Sequence, residues 1–317
     1  MKLEKSFSFR TRPVPPYDFG LTVRKPAGWS LFNSQEVYEG DVLWSAARVG
    51  GRLAGLKIRS VGTVKRPEIA TTVHTKEALS SEQRSGFAGA LEVLLGARDD
   101  LRGFYAFARK DPILQHVVKD LYGMHDTQAA SLFNSVVLSI CLQMAKLQRS
   151  NQMMEAIDQT YGDVVEFDGR RLRVQPPAEK IAKLDPRRFA KQCNLGYRAK
   201  YIVKSARMIS RGFPDIHQIM AMPPDLAKET LMELPGVGDY AADIINPHGG
   251  FPIDAWSVDV FGALFFGKEP DNARDAIEEV KREGVRRWGE WSWMAFFYVA
   301  QDLRNLSERL GIRLRLE

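Results

Sequence analysis

Cysteine is nearly absent: Cys141 and Cys193 are the two in 317 residues. A four-cysteine iron–sulfur or zinc site is thereby excluded. Histidine offers no substitute. His248 stands alone in a turn-forming stretch, and His74, His116, His125 and His217 are dispersed without metal-ligand spacing, so neither a metal nor any other cofactor is expected. No run of about eighteen apolar residues occurs, which argues against a membrane span. The opening MKLEKSFSFRTR does not read as a secretory signal, so an intracellular protein without disulfides is expected. Internal repeats and low-complexity tracts are also missing.

What is present is apolar bulk and positive charge. An apolar content of 44% over this length can bury a substantial core in two or three domains. The net charge of +6 favours a polyanionic partner, because neutralised phosphates release counterions.

Residues 1 to about 78 read as mainly β. Phe7 and Phe9 alternate with Ser6 and Ser8, Gly50-Gly51 joins strands at 43–49 and 52–61, and 69–75 supplies another. A helix is predicted over 81–95, with Ser80 and Gln83 spaced as a capping box. Helical patterning dominates from Leu101. Asp111-Pro112 reads as an N-cap followed by proline at the first helical position, and 130–147 as a central helix apolar on most sides. The stretch 161–175, YGDVVEFDGRRLRVQ, is a short β-like insertion in this helical region. The expected fold class is α+β. An antiparallel β-sheet domain with its packing helix occupies 1–100, and an all-α body 101–317.

The segment Leu231 to Phe261, LMELPGVGDYAADIINPHGGFPIDAWSVDVF, carries the most chemistry. A short helix from Met222-Pro223-Pro224-Asp225 runs through Leu231 and Met232 and is stopped by Pro235-Gly236. Gly236 and Gly238 permit positive φ or a close backbone approach. A second helix starts near Asp239, giving a hairpin over about 225–246. Such a hairpin points unpaired amide N–H groups outward at a helix N-terminus, where they suit a phosphate oxygen. An ordinary interhelical turn is the alternative. Asn246-Pro247 and Gly249-Gly250 then cut the helix, and a loop over about 247–256 delivers Asp254 after Phe251-Pro252-Ile253.

Here the chain resembles the helix-hairpin-helix DNA glycosylases, of the 3-methyladenine DNA glycosylase II and 8-oxoguanine DNA glycosylase type. The matching stretches are LPGVGDYAADI and FPIDAW, with NLGYRAKYIVKSAR (194–207), SLFNSVVLSICLQ (131–143) and PPYDF (15–19). The resemblance spans nearly the whole chain. It implies a monomeric enzyme of base excision repair, cytoplasmic and nucleoid-associated or nuclear, acting on duplex DNA that contains a damaged base. Pro235, Gly236, Val237 and Gly238 would hold the DNA backbone.

Cleaving an N-glycosidic bond builds positive charge on the deoxyribose, and a carboxylate stabilises it while orienting or deprotonating water. An alkylated purine already carries positive charge and leaves readily, so one carboxylate suffices. The resemblance makes Asp254 that carboxylate on its local pattern, an apolar-Pro-apolar-Asp loop followed by Trp256. Asp259, whose spacing from Tyr240 is closer to the oxidised-guanine branch, is the alternative.

The bifunctional branch places a lysine nucleophile where this chain has Tyr240. Tyrosine forms no imine, so water is the expected nucleophile. Tyr240 is expected in the base pocket, with core packing as the alternative, and Trp256 as a pocket wall. The resemblance also implies that Gln143 or Met144 fills the gap left by the flipped nucleotide, and that Arg198 contacts the opposite base. Lys200, Lys204, Arg207 and Arg211 form a basic stretch facing DNA or solvent, and Trp288, Trp291 and Trp293 are expected in the helical core. The resulting function is a monofunctional DNA glycosylase for alkylated or deaminated purines. The alternatives are an 8-oxoguanine glycosylase with or without lyase activity, and a non-catalytic lesion-binding protein.

Overall fold

The computed structural model describes residues 1–26, 36–127, 131–145, 147–246 and 248–312. Pro247 and the last five residues of the expected helical body lie outside them. In chain order the first elements are β1 (Lys5–Thr11), α1 (Phe19–Arg24), β2 (Val37–Glu39), β3 (Val42–Val49), β4 (Arg52–Ser60), β5 (Ile69–Thr75) and α2 (Ser81–Leu94). Next come α3 (Arg102–Ala108), α4 (Leu114–Asp120), α5 (Leu132–Leu142), α6 (Leu147–Tyr161), β6 (Asp163–Phe167) and β7 (Arg170–Val174). Helices complete the chain: α7 (Ala178–Ile181), α8 (Pro186–Gln192), α9 (Arg198–Ile209), α10 (Ile216–Met220) and α11 (Pro224–Met232). After these lie α12 (Asp239–Ile245), α13 (Ser257–Phe266), α14 (Ala273–Trp288), α15 (Ser292–Gln301) and α16 (Leu303–Leu310).

Two compact units result. One comprises Met1–Gly103, Tyr122–Ala130 and Asn151–Pro177, the other Phe104–Leu121, Ser131–Ser150 and Ala178–Glu317. The first holds a five-stranded antiparallel sheet in the order β1-β5-β4-β3-β2. Gly50 and Gly51, both at positive φ, close the β3–β4 hairpin so that Val49 pairs with Arg52. Burial alternates along β5, and Ile69 and Val73 join Leu43, Leu56 and Ile58 against Phe87, Leu91 and Leu94 of α2. The Ser80–Gln83 capping box forms as the spacing predicts.

The β6–β7 pair belongs to this same unit, where Val165, Phe167, Leu172 and Val174 cluster with Leu3 and Ala46. Gly55 of β4 makes this possible, since a Cβ there would lie 2.3 Å from Phe167 Cδ1.

The second unit is helical. Its central helix α5 packs on α9 and α12, and α13 packs on α14. Three local expectations need adjustment. The helix after Asp111-Pro112 begins at Leu114, although Asp111 Oδ1 still accepts from Ile113 N (2.8 Å) and Leu114 N (2.9 Å). The central helix stops at Leu142, because Met144 adopts φ +49 and cannot continue it. Helix α1, capped by Asp18, was not anticipated, since its six residues are too few to repeat the buried spacing of Phe19, Thr22 and Val23. Trp288 is buried and donates Nε1–H to Asp111 Oδ2 (3.0 Å), while Trp291 and Trp293 are half-buried. Among the described residues no helix is long and apolar enough to cross a membrane.

Candidate functional site

The hairpin is held from below by its carbonyls. Ser205 Oγ of α9 donates to Pro235 O (2.8 Å), and Gln143 Nε2 donates to Gly236 O (2.7 Å). Val237 N turns back to Leu234 O (2.9 Å), which buries the Val237 side chain. Gly236 takes φ +89, and a Cβ there would sit 2.7 Å from Tyr201 Cβ, so both conformation and space demand glycine. Gly238 differs. Its φ is −99 and nothing lies within 4 Å of a Cβ, which leaves an open backbone approach as its remaining advantage.

The amides behave oppositely. Ala242 N bonds Gly238 O (2.8 Å), but the N–H groups of Gly238, Asp239, Tyr240 and Ala241 have no acceptor among the described residues. Asp239 sits among them in the first turn of α12, bridged to Lys228 Nζ at 2.5 Å and also to Lys281. Burial alone would raise its carboxyl, yet hydrogen bonds from the two lysines outweigh that and hold it below the usual carboxylate range.

Asp254 is fixed by one oxygen. Its Oδ1 accepts from Ser257 N (2.9 Å), Ser257 Oγ (2.9 Å) and Trp256 N (3.1 Å), while its own N–H donates to Ser257 Oγ (2.8 Å). The side chain therefore caps α13, where the D-x-x-S spacing of Asp254 and Ser257 was a legible but unread signal. Oδ2 takes no hydrogen bond among the described residues and the residue is half-buried, so one carboxylate oxygen remains to work with. Asp259 lies at the third position of α13 and is half-buried.

Tyr240 senses Asp254. Burial pushes the Tyr240 phenol well above its usual value, and the negative Asp254 raises it further. The Tyr240 hydroxyl has no hydrogen-bond partner among the described residues. Trp256, two residues past Asp254, is 38% exposed. The structure thus brings the Tyr240 phenol within electrostatic reach of Asp254, and ties the Trp256 backbone to the same carboxylate (3.1 Å).

The residues expected to meet the DNA gap lie at the end of α5. Met144 is 71% exposed at φ +49, an uncommon conformation for a residue with a side chain. Gln143 is committed to Gly236 O, which ties this end of α5 to the hairpin. Arg198 donates Nε–H to Ile140 O (3.1 Å) and Nη2–H to Gln143 O, capping the last carbonyls of α5. Its guanidinium also lies 4.8 Å from the ring centre of Tyr197, an aromatic 52% exposed that sequence reasoning passed over. Of the basic stretch on α9, Arg207 is engaged with Ala182 O (2.9 Å) and Leu184 O (3.3 Å). Lys200, Lys204 and Arg211 are exposed. Among the described residues no group of histidine, cysteine or carboxylate side chains could hold a metal ion.

No family model matches the chain. Curated relatives do. A DNA-3-methyladenine glycosylase of Bacillus subtilis is 26% identical over 204 residues, covering 63% of this chain and 67% of that protein. A probable N-glycosylase/DNA lyase of Methanothermobacter thermautotrophicus is 27% identical over 249 residues, 71% of this chain and 76% of that protein. The chain is similar in sequence to DNA glycosylases. Among solved structures, a 3-methyladenine DNA glycosylase from Archaeoglobus fulgidus superposes with a TM-score of 0.76 at 20% identity, covering 94% of this chain and 99% of that one. The α+β class, a five-stranded antiparallel sheet ahead of a helical body in chain order, therefore agrees with the reading of the sequence.

Proposed function

We propose that this chain is a monofunctional DNA glycosylase, hydrolysing the glycosidic bond of an alkylated or deaminated purine with Asp254. The observation that carries the reading is the pairing of a half-free carboxylate at Asp254 with a phenol, not an amine, at Tyr240. The hairpin amides from Gly238 to Ala241 grip a backbone phosphate, aided by the dipole of α12. Met144 enters the stack as the damaged nucleotide leaves it, and the extruded base lies against Tyr240 and Trp256.

The C1′–N bond then lengthens, its electron pair departing with the base, and positive charge gathers on the sugar. The Oδ2 atom of Asp254 faces that charge and takes a proton from the water whose oxygen bonds to C1′. A base that is already cationic leaves as a neutral molecule and needs no acid. Hypoxanthine needs a hydrogen bond on leaving, and the Tyr240 phenol, held protonated by burial, can give one. The relative named DNA-3-methyladenine glycosylase supports the alkylated substrate.

An 8-oxoguanine glycosylase is the second reading, favoured by Arg198 within GYRAKY and by the relative named as a probable N-glycosylase/DNA lyase. Single-turnover base release from duplexes carrying 3-methyladenine, hypoxanthine or 8-oxoguanine separates them. The first reading expects intact abasic strands, loss of release in Asp254→Asn, and no adduct on borohydride treatment. A borohydride-trapped covalent adduct, or release that survives Asp254→Asn, overturns it. DNA binding with no release from any lesion leaves a lesion-binding protein.

A further inference from the structure

Asp243 lies one turn beyond Asp239 on α12, and its side chain is 3% exposed. Lys228 of α11 closes on Oδ1 at 2.7 Å and Lys281 of α14 on Oδ2 at 2.6 Å. The same two lysines reach Asp239, so two ammonium groups and two carboxylates make a neutral cluster behind the hairpin amides.

The loop that leads to Asp254 rests on this cluster. A Cβ at Gly250 would fall 2.5 Å from Asp243 Cγ and 2.6 Å from Oδ1, so the loop backbone lies directly on the carboxylate. The next residue is locked as well. Gly284 of α14 makes room for the Phe251 ring, since a Cβ there would stand 2.2 Å from Phe251 Cε1, and Phe261, Trp288 and Phe296 surround it. Asp254 follows four residues after Gly250. One buried carboxylate therefore touches the helix of the hairpin, two neighbouring helices and the root of the loop bearing Asp254.

We infer that Asp243 is a positioning residue, keeping the loop of Asp254 in register with the hairpin that holds the duplex. The inference rests on the reading of Asp254 as the catalytic carboxylate. A buried ion cluster adds little net stability, since desolvation offsets the attraction, but it fixes geometry. A misplacement of about 1 Å at a reacting group costs on the order of a hundredfold in rate. Asp243→Asn would also leave two lysines facing one carboxylate beside the amides, which adds positive charge where a phosphate lands. Rate and affinity should therefore part company, whereas a loosened fold lowers both.

The test runs Asp243→Asn, Gly250→Ala and Asp254→Asn beside the full-length wild type. Single-turnover base release is followed on the 3-methyladenine, hypoxanthine and 8-oxoguanine duplexes, and affinity on a fluorescein-labelled undamaged duplex. Asp243→Asn and Gly250→Ala are each expected to slow release about tenfold or more, with Kd for undamaged duplex within about threefold of wild type or tighter. Wild-type release in both variants, or release and affinity falling by the same factor, overturns the inference. Loss of release in Asp254→Asn beside wild-type release in Asp243→Asn sinks this inference alone. Wild-type release in Asp254→Asn, or no release by the wild type, removes the catalytic reading and this inference with it.

Discussion

The Ser257 hydroxyl bonds Asp254 twice, Oγ donating to Oδ1 (2.9 Å) while accepting the N–H of Asp254 (2.8 Å). The hydroxyl thereby sets which carboxylate oxygen is spent on the helix and which keeps no hydrogen bond among the described residues. Ser257→Ala removes both bonds but keeps the two backbone amides on Oδ1. Base release should fall about tenfold through lost orientation, and unfolding stability should drop by about 1 kcal/mol through the weakened cap. Single-turnover kinetics and calorimetry on the same variant check both, and an unaltered release rate would remove the orienting role.

The two hairpin glycines should respond differently to alanine. Gly236→Ala meets both the positive φ and the Tyr201 side chain, and should cost about 1–3 kcal/mol of stability along with duplex affinity. Gly238→Ala has ordinary φ and open space, so its stability should stay within about 0.5–1 kcal/mol of wild type. Its duplex affinity should nevertheless fall, because the methyl group occupies the approach to the free amides. Denaturant melts paired with fluorescence anisotropy distinguish the two, and equal stability losses would contradict the assignment.

Met144 combines exposure with a left-handed backbone, which is a cost without benefit in the free protein. Met144→Gly should raise stability by about 1 kcal/mol and at the same time slow release of a lesion base from duplex DNA. Release from a single-stranded substrate, where no gap needs filling, should change far less. Equal slowing on both substrates would argue against a wedge.

Asp302, between α15 and α16, has its carboxyl pushed from 3.8 up to about 6 by burial, with nearby Asp120 adding to the rise. Because the folded state holds this proton more tightly than the unfolded chain, the contribution to stability is complete below about pH 4. It is lost as pH rises through about 6. Asp302→Asn keeps the neutral shape at every pH. Its Tm should exceed wild type by a few degrees at pH 8, and the difference should vanish near pH 4. A pH-independent difference in Tm would contradict this.

Strands β3, β4 and β5 and the capping box of α2 were legible because each rests on residues close in sequence. Gly50-Gly51 dictates its own turn, and Pro223-Pro224 and Gly238 mark helix starts. The candidate site was partly legible, since Tyr240, Asp254 and Trp256 all lie within the Leu231 to Phe261 segment. What holds them was not. Ser205 on Pro235 O, Gln143 on Gly236 O and Lys281 on Asp243 join positions 30, 93 and 38 residues apart. Each of those side chains reads alone as an ordinary polar surface residue. Arg198 illustrates the ambiguity, since the guanidinium expected at DNA also closes the end of α5.

The ring of Phe167 seated on Gly55 has a consequence for biogenesis. A nascent chain that has just delivered Gly103 possesses all five strands of the sheet but none of β6 or β7, so Ala46 and Gly55 face water bare. Closure of that face waits until the chain has extended through α6 to Val174, after part of the second unit has already emerged. Translation order and folding order are thus interleaved, and a fragment cut near Gly103 would carry an uncovered apolar sheet face prone to association.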